Sequence, residues 1–446
     1  MTAEGAKRRL WYAATTVDVT PRVPVALGGY LARGDEPATG AHDRLTASLL
    51  LLSDEAGQRA ACWVSVDALS LDAETCARIR AEVAQGAGIA PEAVLVCCSH
   101  THSAAAAWSR LSFWPNQDSD DSQIDRLVKD ISKAATRLPK TRSPVTAGWA
   151  TVADGGIGAN RYDPKGPHDR SAGVLTLRQD DDTIVAILFD YACHPTVLGH
   201  ANREYSADFP AATRSVAAAA LLAAQGVETP PVLAFLQGAA GDVSTRFTRR
   251  AQDFAEMQRQ GGILAGAVLR GALESEPTRV PDAIPVVHRV TVTVPTRMLP
   301  GRAEAADQLV AAEHAWHAER ERGGDTPRAR IARTRYEGAV LQSEQVAAGL
   351  PAHLHLPISV VAFGELAWVH LPIEPFTCYA NAIRTSSPFR HTRIVGYTDG
   401  YFGYLADAAA HDEAVYEASS SPFDPHGAAV LVEATQELLH GAWRAR

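Results

Sequence analysis

The stretch ACWVSVDALSLDAETCARIRAEVAQGAGIAPEAVLVCCSHTHS, residues 61–103, decides how this chain folds. ACWVSV is a short, unbroken apolar run, the pattern of a strand buried on both faces. LDAETCARIRAEVAQG, residues 71–86, has helical composition and a glycine at its end. PEAVLVCC is a second buried strand, and Ser99, His100, Thr101 and His102 follow it at once. Strand, helix and strand at this length make a crossover, the connection that parallel strands require.

The same grammar appears twice more. In residues 184–244, IVAILFDYAC ends at His194-Pro195, FPAATRSVAAAALLAAQG is an Ala-rich helix, and PVLAFLQG is a strand followed by Ala239 to Ser244. In residues 358–404, ISVVAF and LAWVHLP are strands joined at Gly364-Glu365 and running to Glu374. PFTCYANAIRTS is a helix, and TRIVGY is a strand followed by Asp399, Tyr401 and Tyr404. These units predict an α/β fold of mixed sheets, with parallel βαβ units covered by helices. In such folds ligand groups collect beyond the carboxyl ends of the strands, where all these polar residues stand.

PVTAGWATVA, GVLTLRQ and VVHRVTVTVP read as further strands, the last half-exposed and antiparallel. Glu304 to Ala348 is charge-rich, lacks a strand pattern and is interrupted at Gly323-Gly324, which predicts a solvated helical hairpin inserted at about residues 301–350. No Gly/Ser or Pro linker divides the chain, so residues 1–446 are expected to form one domain.

Composition narrows the function. Hydrophobic residues make up 46% and charged residues 21%, enough for a large core and incompatible with disorder. The net charge of −9 argues against a general polyanion binder, so nucleic acid is not an expected partner. The opening MTAEGAKRRLWYAATTVDVTP has no apolar run behind its basic residues and does not read as a signal peptide. No apolar stretch is long enough to span a membrane. Six cysteines without a CxxC motif suit a reduced, cytoplasmic protein. The expected partners are a small-molecule substrate and, at most, further copies of the chain.

His100 and His102 stand two apart at a strand end, where an extended chain turns both imidazoles to one side. His194 precedes Pro195, which favours extended backbone. Two or three neutral imidazoles with a carboxylate and an open position form a catalytic zinc set, and Glu374 can supply the carboxylate. No compact HExxH element ties these residues together. Each also fits an ordinary role: Glu374 as a helix N-terminal acid, Asp242 as a turn residue, Tyr401 and Tyr404 as packing residues, Arg161 as a loop ion pair. Ser244 has no sequence-adjacent histidine.

The ordered set SHTHS (99–103), YACHPT (191–196), NREYSADFP (202–210), GAAGDVS (238–244), LPIEPF (371–376), VGYTDGYFGYL (395–405) and VYEASSSPFDP (415–425) resembles the neutral/alkaline, non-lysosomal ceramidases. DVTP (18–21), GGY (28–30) and HDRL (42–45) fit the same pattern, and the resemblance runs from about residue 12 to about 440. It implies one catalytic Zn2+ held by His100, His194, Glu374 and Tyr404. It implies amide hydrolysis with His102, Arg161, Ser244, Tyr416 and Asp242 in or beside the site. Water activated on zinc is the expected nucleophile, with Ser244 attacking or binding. Tyr416, Arg161 and His102 would stabilise the developing oxyanion. The chain departs from the family pattern at Ala240, Thr245-Arg246 and Ile373, and the family's C-terminal β-sandwich is not expected here. The expectation is therefore zinc amide chemistry on a substrate other than bilayer ceramide. Two alternatives accompany it: an intracellular biosynthetic enzyme that forms or rearranges an amide or ring, and a metal-binding protein without catalysis.

Overall fold

The computed structural model describes residues 9–108, 119–274, 283–324 and 326–446. Eight strands build one mixed sheet: β1 (Leu10–Asp18), β2 (Thr46–Ser53), β3 (Ala60–Val66), β4 (Val94–Cys98), β5 (Ser143–Val152), β6 (Ala172–Arg178), β7 (Ile184–Tyr191) and β8 (Val232–Gln237). Their order is β8-β7-β6-β5-β1-β2-β3-β4. A smaller sheet holds β9 (Val286–Pro295), β10 (His353–Phe363), β11 (Leu366–His370) and β12 (His391–Val395). The three crossover units are the parallel pairs β3/β4, β7/β8 and β11/β12; the other strand pairings within these two sheets are antiparallel.

Helices α1 (Ala73–Ala87) and α2 (Asp121–Ala135) cover one half of the large sheet, and α3 (Phe209–Gln225) and α4 (Phe254–Glu274) cover the other. The opposite face of this sheet packs on the small sheet through a shared core that includes Leu50, Trp63, Leu188, Phe363 and Trp368. Trp368 makes edge-on contacts with Trp63 at 5.4 Å and Trp149 at 5.6 Å, each worth about 0.5–1.5 kcal/mol beyond its area. The far face of the small sheet is closed by α7 (Thr377–Ser386) and, later in the chain, α10 (Pro425–Arg444). The result is a helix–sheet–sheet–helix stack. The large sheet curls until its β8 edge rests on β2 and β3, where the Ser48 and Ser65 hydroxyls donate to Leu233 O (3.5 Å) and Phe235 O (2.6 Å). Small side chains at these two positions permit that approach.

Helices α5 (Arg302–Gly323) and α6 (Pro327–Ala348) pack on each other as a hairpin, with most of α5 exposed. Two short helices, α8 (Ala408–Asp412) and α9 (Tyr416–Ser420), precede α10, and α9 packs against α6. The end of α1 differs from the sequence reading. Helix α1 passes Gly86 and ends at Gly88, whose φ of 67° gives the left-handed cap. Gly86 instead marks close helix packing: a β-carbon there would stand 3.1 Å from the Ala135 β-carbon of α2.

Where the strands end, backbone bonds stitch the two sheets together. Cys98 N–H donates to Tyr397 O at 3.0 Å, and Gly396 N–H donates to Gln237 O at 3.0 Å. The Gln237 side chain donates to Cys193 O at 2.8 Å. The carboxyl ends of β4, β7, β8, β11 and β12 therefore meet along one seam.

Candidate metal centre

His100 lies just beyond β4, His194 just beyond β7, and Glu374 in the short strand Glu374–Pro375 that follows β11. All three are buried, Glu374 and His194 completely. His100 Nδ1 lies 2.7 Å from Leu69 O, and His194 Nδ1 lies 2.6 Å from Ala240 O. A carbonyl only accepts, so both Nδ1 atoms carry the proton and both Nε2 atoms present lone pairs. These two Nε2 atoms face each other at 3.2 Å. Glu374 Oε2 approaches them at 3.4 Å and 3.0 Å. Three acceptor atoms thus converge with no proton between them. Burial, then the nearby Arg161 guanidinium, drives His194 down to about 3, so a proton on His194 does not relieve the conflict.

A cation does relieve it. A tetrahedral ion with bonds of about 2.0–2.1 Å sets its ligand atoms about 3.3–3.4 Å apart, close to the spacings seen here. His102 Nε2 adds a fourth donor 3.4 Å from His100 Nε2, and the three imidazoles form a buried group able to hold a metal ion. The residues present fit a divalent ion.

The local backbone explains the convergence. His100 has a φ of 64°, so His-x-His is not the extended segment the sequence suggests. The left-handed turn, held by His100 N–H donating to Ala68 O, swings the two imidazoles together edge-to-face at 5.0 Å. His194 is fixed by His194 N–H to Val243 O at 3.0 Å and by an isolated parallel bridge to Ser244.

Glu374 is held from behind by two phenols, Tyr401, which the sequence assigns an ordinary packing role, and Tyr397. Tyr397 donates to Oε2 at 3.0 Å, and Tyr401 donates to Oε1. Burial first, and the Glu374 charge second, raise both phenols well above their ordinary value, so they remain donors. The signal was the tyrosine spacing in VGYTDGYFGYL; the fold that uses it requires positive φ at Tyr397 and Asp399.

Tyr404 pairs with Glu374 in a short parallel ladder, and its ring stacks on His194 at 6.4 Å between centroids. Tyr416 meets Tyr404 edge-on at 6.1 Å. Arg161, just after the short strand Ala159–Asn160, pairs with Glu417 at 2.6 Å, and Tyr162 donates to the same carboxylate. Glu417 is thus a site-wall residue that sequence reading passed over. Ser244 is buried on the short strand paired with Ala159–Asn160, and its Oγ accepts from Arg246 N–H at 3.3 Å. Asp242 accepts from Thr377 N–H (2.9 Å), Thr377 Oγ1 (2.8 Å) and Asn160 Nδ2 (3.2 Å). Burial raises Asp242 to about 6, and the Thr377 bonds partly offset that. The structure therefore gathers His100, His102, His194, Glu374, Tyr404, Tyr416, Arg161 and Ser244 around one seam and uses Asp242 to tie the Ser244 loop to α7.

Fold and site together define an α/β protein with a buried histidine group able to hold a metal. The chain belongs to the neutral/alkaline non-lysosomal ceramidase family: the N-terminal model of that family matches residues 13–258, more than half of it. The family implies a hydrolase acting on amide bonds. Among solved structures, the neutral ceramidase from Pseudomonas aeruginosa aligns with a TM-score of 0.73 at 17% identity, covering 98% of this chain and 75% of that one. A ceramidase complexed with C2 aligns with a TM-score of 0.73 at 16% identity, covering 98% and 76%. At these identities the likeness is one of fold. No curated protein matches the chain. Among the described residues, no helix is long and apolar enough to cross a membrane.

Proposed function

We propose that this protein is a zinc-dependent amidase that hydrolyses a small N-acyl amide. The observation that carries the reading is the set of facing lone pairs on His100, His194 and Glu374 at 3.0–3.4 Å. His100, His194 and Glu374 hold the ion, with Tyr404 beside them. Bound zinc supplies a water acidic enough to ionise near neutral pH and polarises the amide carbonyl.

The chain's own residues do the rest. His102 is buried, its Nδ1 has no hydrogen-bond partner among the described residues, and burial, then His100 and His194, hold it neutral. A neutral imidazole there can take a proton from the attacking water and return one to the leaving nitrogen. Arg161, anchored by Glu417, and the Tyr416 phenol stabilise the oxyanion. Ser244 binds the substrate, and water is the nucleophile. Residues 1–446 act as a single catalytic unit.

Elemental analysis of protein purified without added metal, paired with a panel of N-acyl amides, tests this. About one zinc per chain is expected, with chelation abolishing turnover and zinc restoring it. Full activity in a metal-free preparation refutes the proposal.

A further inference from the structure

The rim beside Ser244 carries more positive charge than the proposed chemistry uses. Arg246 follows Ser244 by two residues, and its Nη1 donates to Arg161 O at 3.3 Å. Arg249, one turn on, donates to Thr196 O at 2.7 Å and to Thr245 Oγ1 at 3.5 Å. Thr196 belongs to the loop that carries His194. Both guanidiniums thus rest on backbone segments that position site residues, and their bonds are to neutral oxygens. Neither has a carboxylate within ion-pairing distance among the described residues. The nearest acids are already engaged: Glu417 by Arg161 and Tyr162, and Asp208 by Leu198 N–H and Phe209 N–H.

Charge of one sign is costly to gather. Arg246 is exposed beside Arg161 and Arg249 is half-buried, and burial lowers the Arg249 guanidinium below its ordinary value. A counter-charge supplied by a ligand removes that cost. The rim is also amphipathic. Phe247 (49% exposed) and Tyr162 (43% exposed) stand open to solvent next to Arg246 and Arg161. An apolar surface with adjacent unpaired guanidiniums recognises a ligand with an apolar chain and one anionic group.

Resting on the amidase reading, we propose that the substrate is an anionic amide, with a carboxylate or phosphate bound by Arg246 and Arg249 while the amide lies at the metal centre. Guanidinium pairs such oxyanions through two parallel hydrogen bonds, which fixes orientation as well as charge.

The test uses zinc-loaded protein and matched ligands: an N-acyl glycine, its neutral glycinamide, and the N-acyl ethanolamine phosphate with its neutral alcohol. Calorimetric affinity is measured for all four, and kcat/KM for those that turn over. The anionic member of at least one pair is expected to bind at least tenfold tighter, and the winning pair tells carboxylate from phosphate. Arg246→Gln should cut that preference severalfold, chiefly through KM, and Arg246→Lys should keep part of it. Equal affinity within both pairs, or a preference untouched by both Arg246→Gln and Arg249→Gln, overturns the proposal. Turnover of neutral and anionic amides alike sinks this inference and leaves the amidase reading standing. Anion-selective binding with no turnover of any amide does the reverse.

Discussion

Gly29 lies face-on against the His102 imidazole: a β-carbon at residue 29 would stand 2.5 Å from Nδ1 and 2.6 Å from Cγ. Its φ of 97° is a second reason for glycine. The GGY segment is therefore the floor on which His102 rests. Arg33 supports it by donating to His102 O at 2.6 Å and Gly28 O at 2.9 Å.

Gly29→Ala should displace His102 while leaving the metal triangle in place. The expected outcome is a loss of about 100-fold or more in kcat, the usual scale for a displaced acid–base group, with bound zinc near one equivalent. Steady-state kinetics alongside metal analysis checks it. Unchanged kcat would remove His102 from the proton-transfer role.

The tyrosines around Glu374 separate by role. Tyr397→Phe and Tyr401→Phe each remove one donor from the buried carboxylate, and each should weaken zinc binding about tenfold. Tyr404→Phe should cost more in zinc affinity or kcat than Tyr397→Phe, because its phenol stands at the ion itself in the proposed set. Zinc titration with a chromophoric chelator ranks the three. A Tyr404→Phe protein that keeps both its zinc and its turnover loses Tyr404 as a ligand.

Stability should fall with rising pH through one identifiable group. Asp208 caps α3 from a φ of 58°, and burial pushes its carboxyl from 3.8 to about 7 despite the Leu198 and Phe209 amides. Between those values the folded state holds a proton that the unfolded chain has released. The associated stability is full below about 4 and is lost as the pH rises through about 7. Asp208→Asn tolerates the positive φ and cannot titrate. Urea unfolding at pH 5 and pH 7.5 should show a smaller difference for Asp208→Asn than for the parent, and an equal difference would assign the slope to other groups.

The three crossover units were legible because each is a short apolar run, a helix and a second run, bounded by Gly, Pro or polar clusters. Other elements carried no such mark. TASLLLLS, which forms β2, is buried on nearly every residue and shows no strand alternation. Helices α2, α4 and α10 face their sheets with ordinary amphipathic sequence and were not singled out. In the site, His100, His194 and Glu374 stood out by residue type and by position after strands. The orientation of His100 did not, because it depends on a left-handed residue that any histidine can adopt at a cost of about 1–3 kcal/mol. Glu417 was invisible for a different reason: its value lies in a partner, Arg161, 256 positions away.

The seam between the sheets also bears on when the proposed metal site can form. His100 and His194 come from the large sheet and Glu374 from the small one, so neither sheet alone holds the triangle. During synthesis, a chain that has completed the eight-stranded sheet still exposes two imidazoles without their carboxylate. It must dock the second sheet before an ion finds three ligands. Under the proposed zinc reading, metal capture would follow the docking of the second sheet, and chains that stop before Glu374 would lack one ligand.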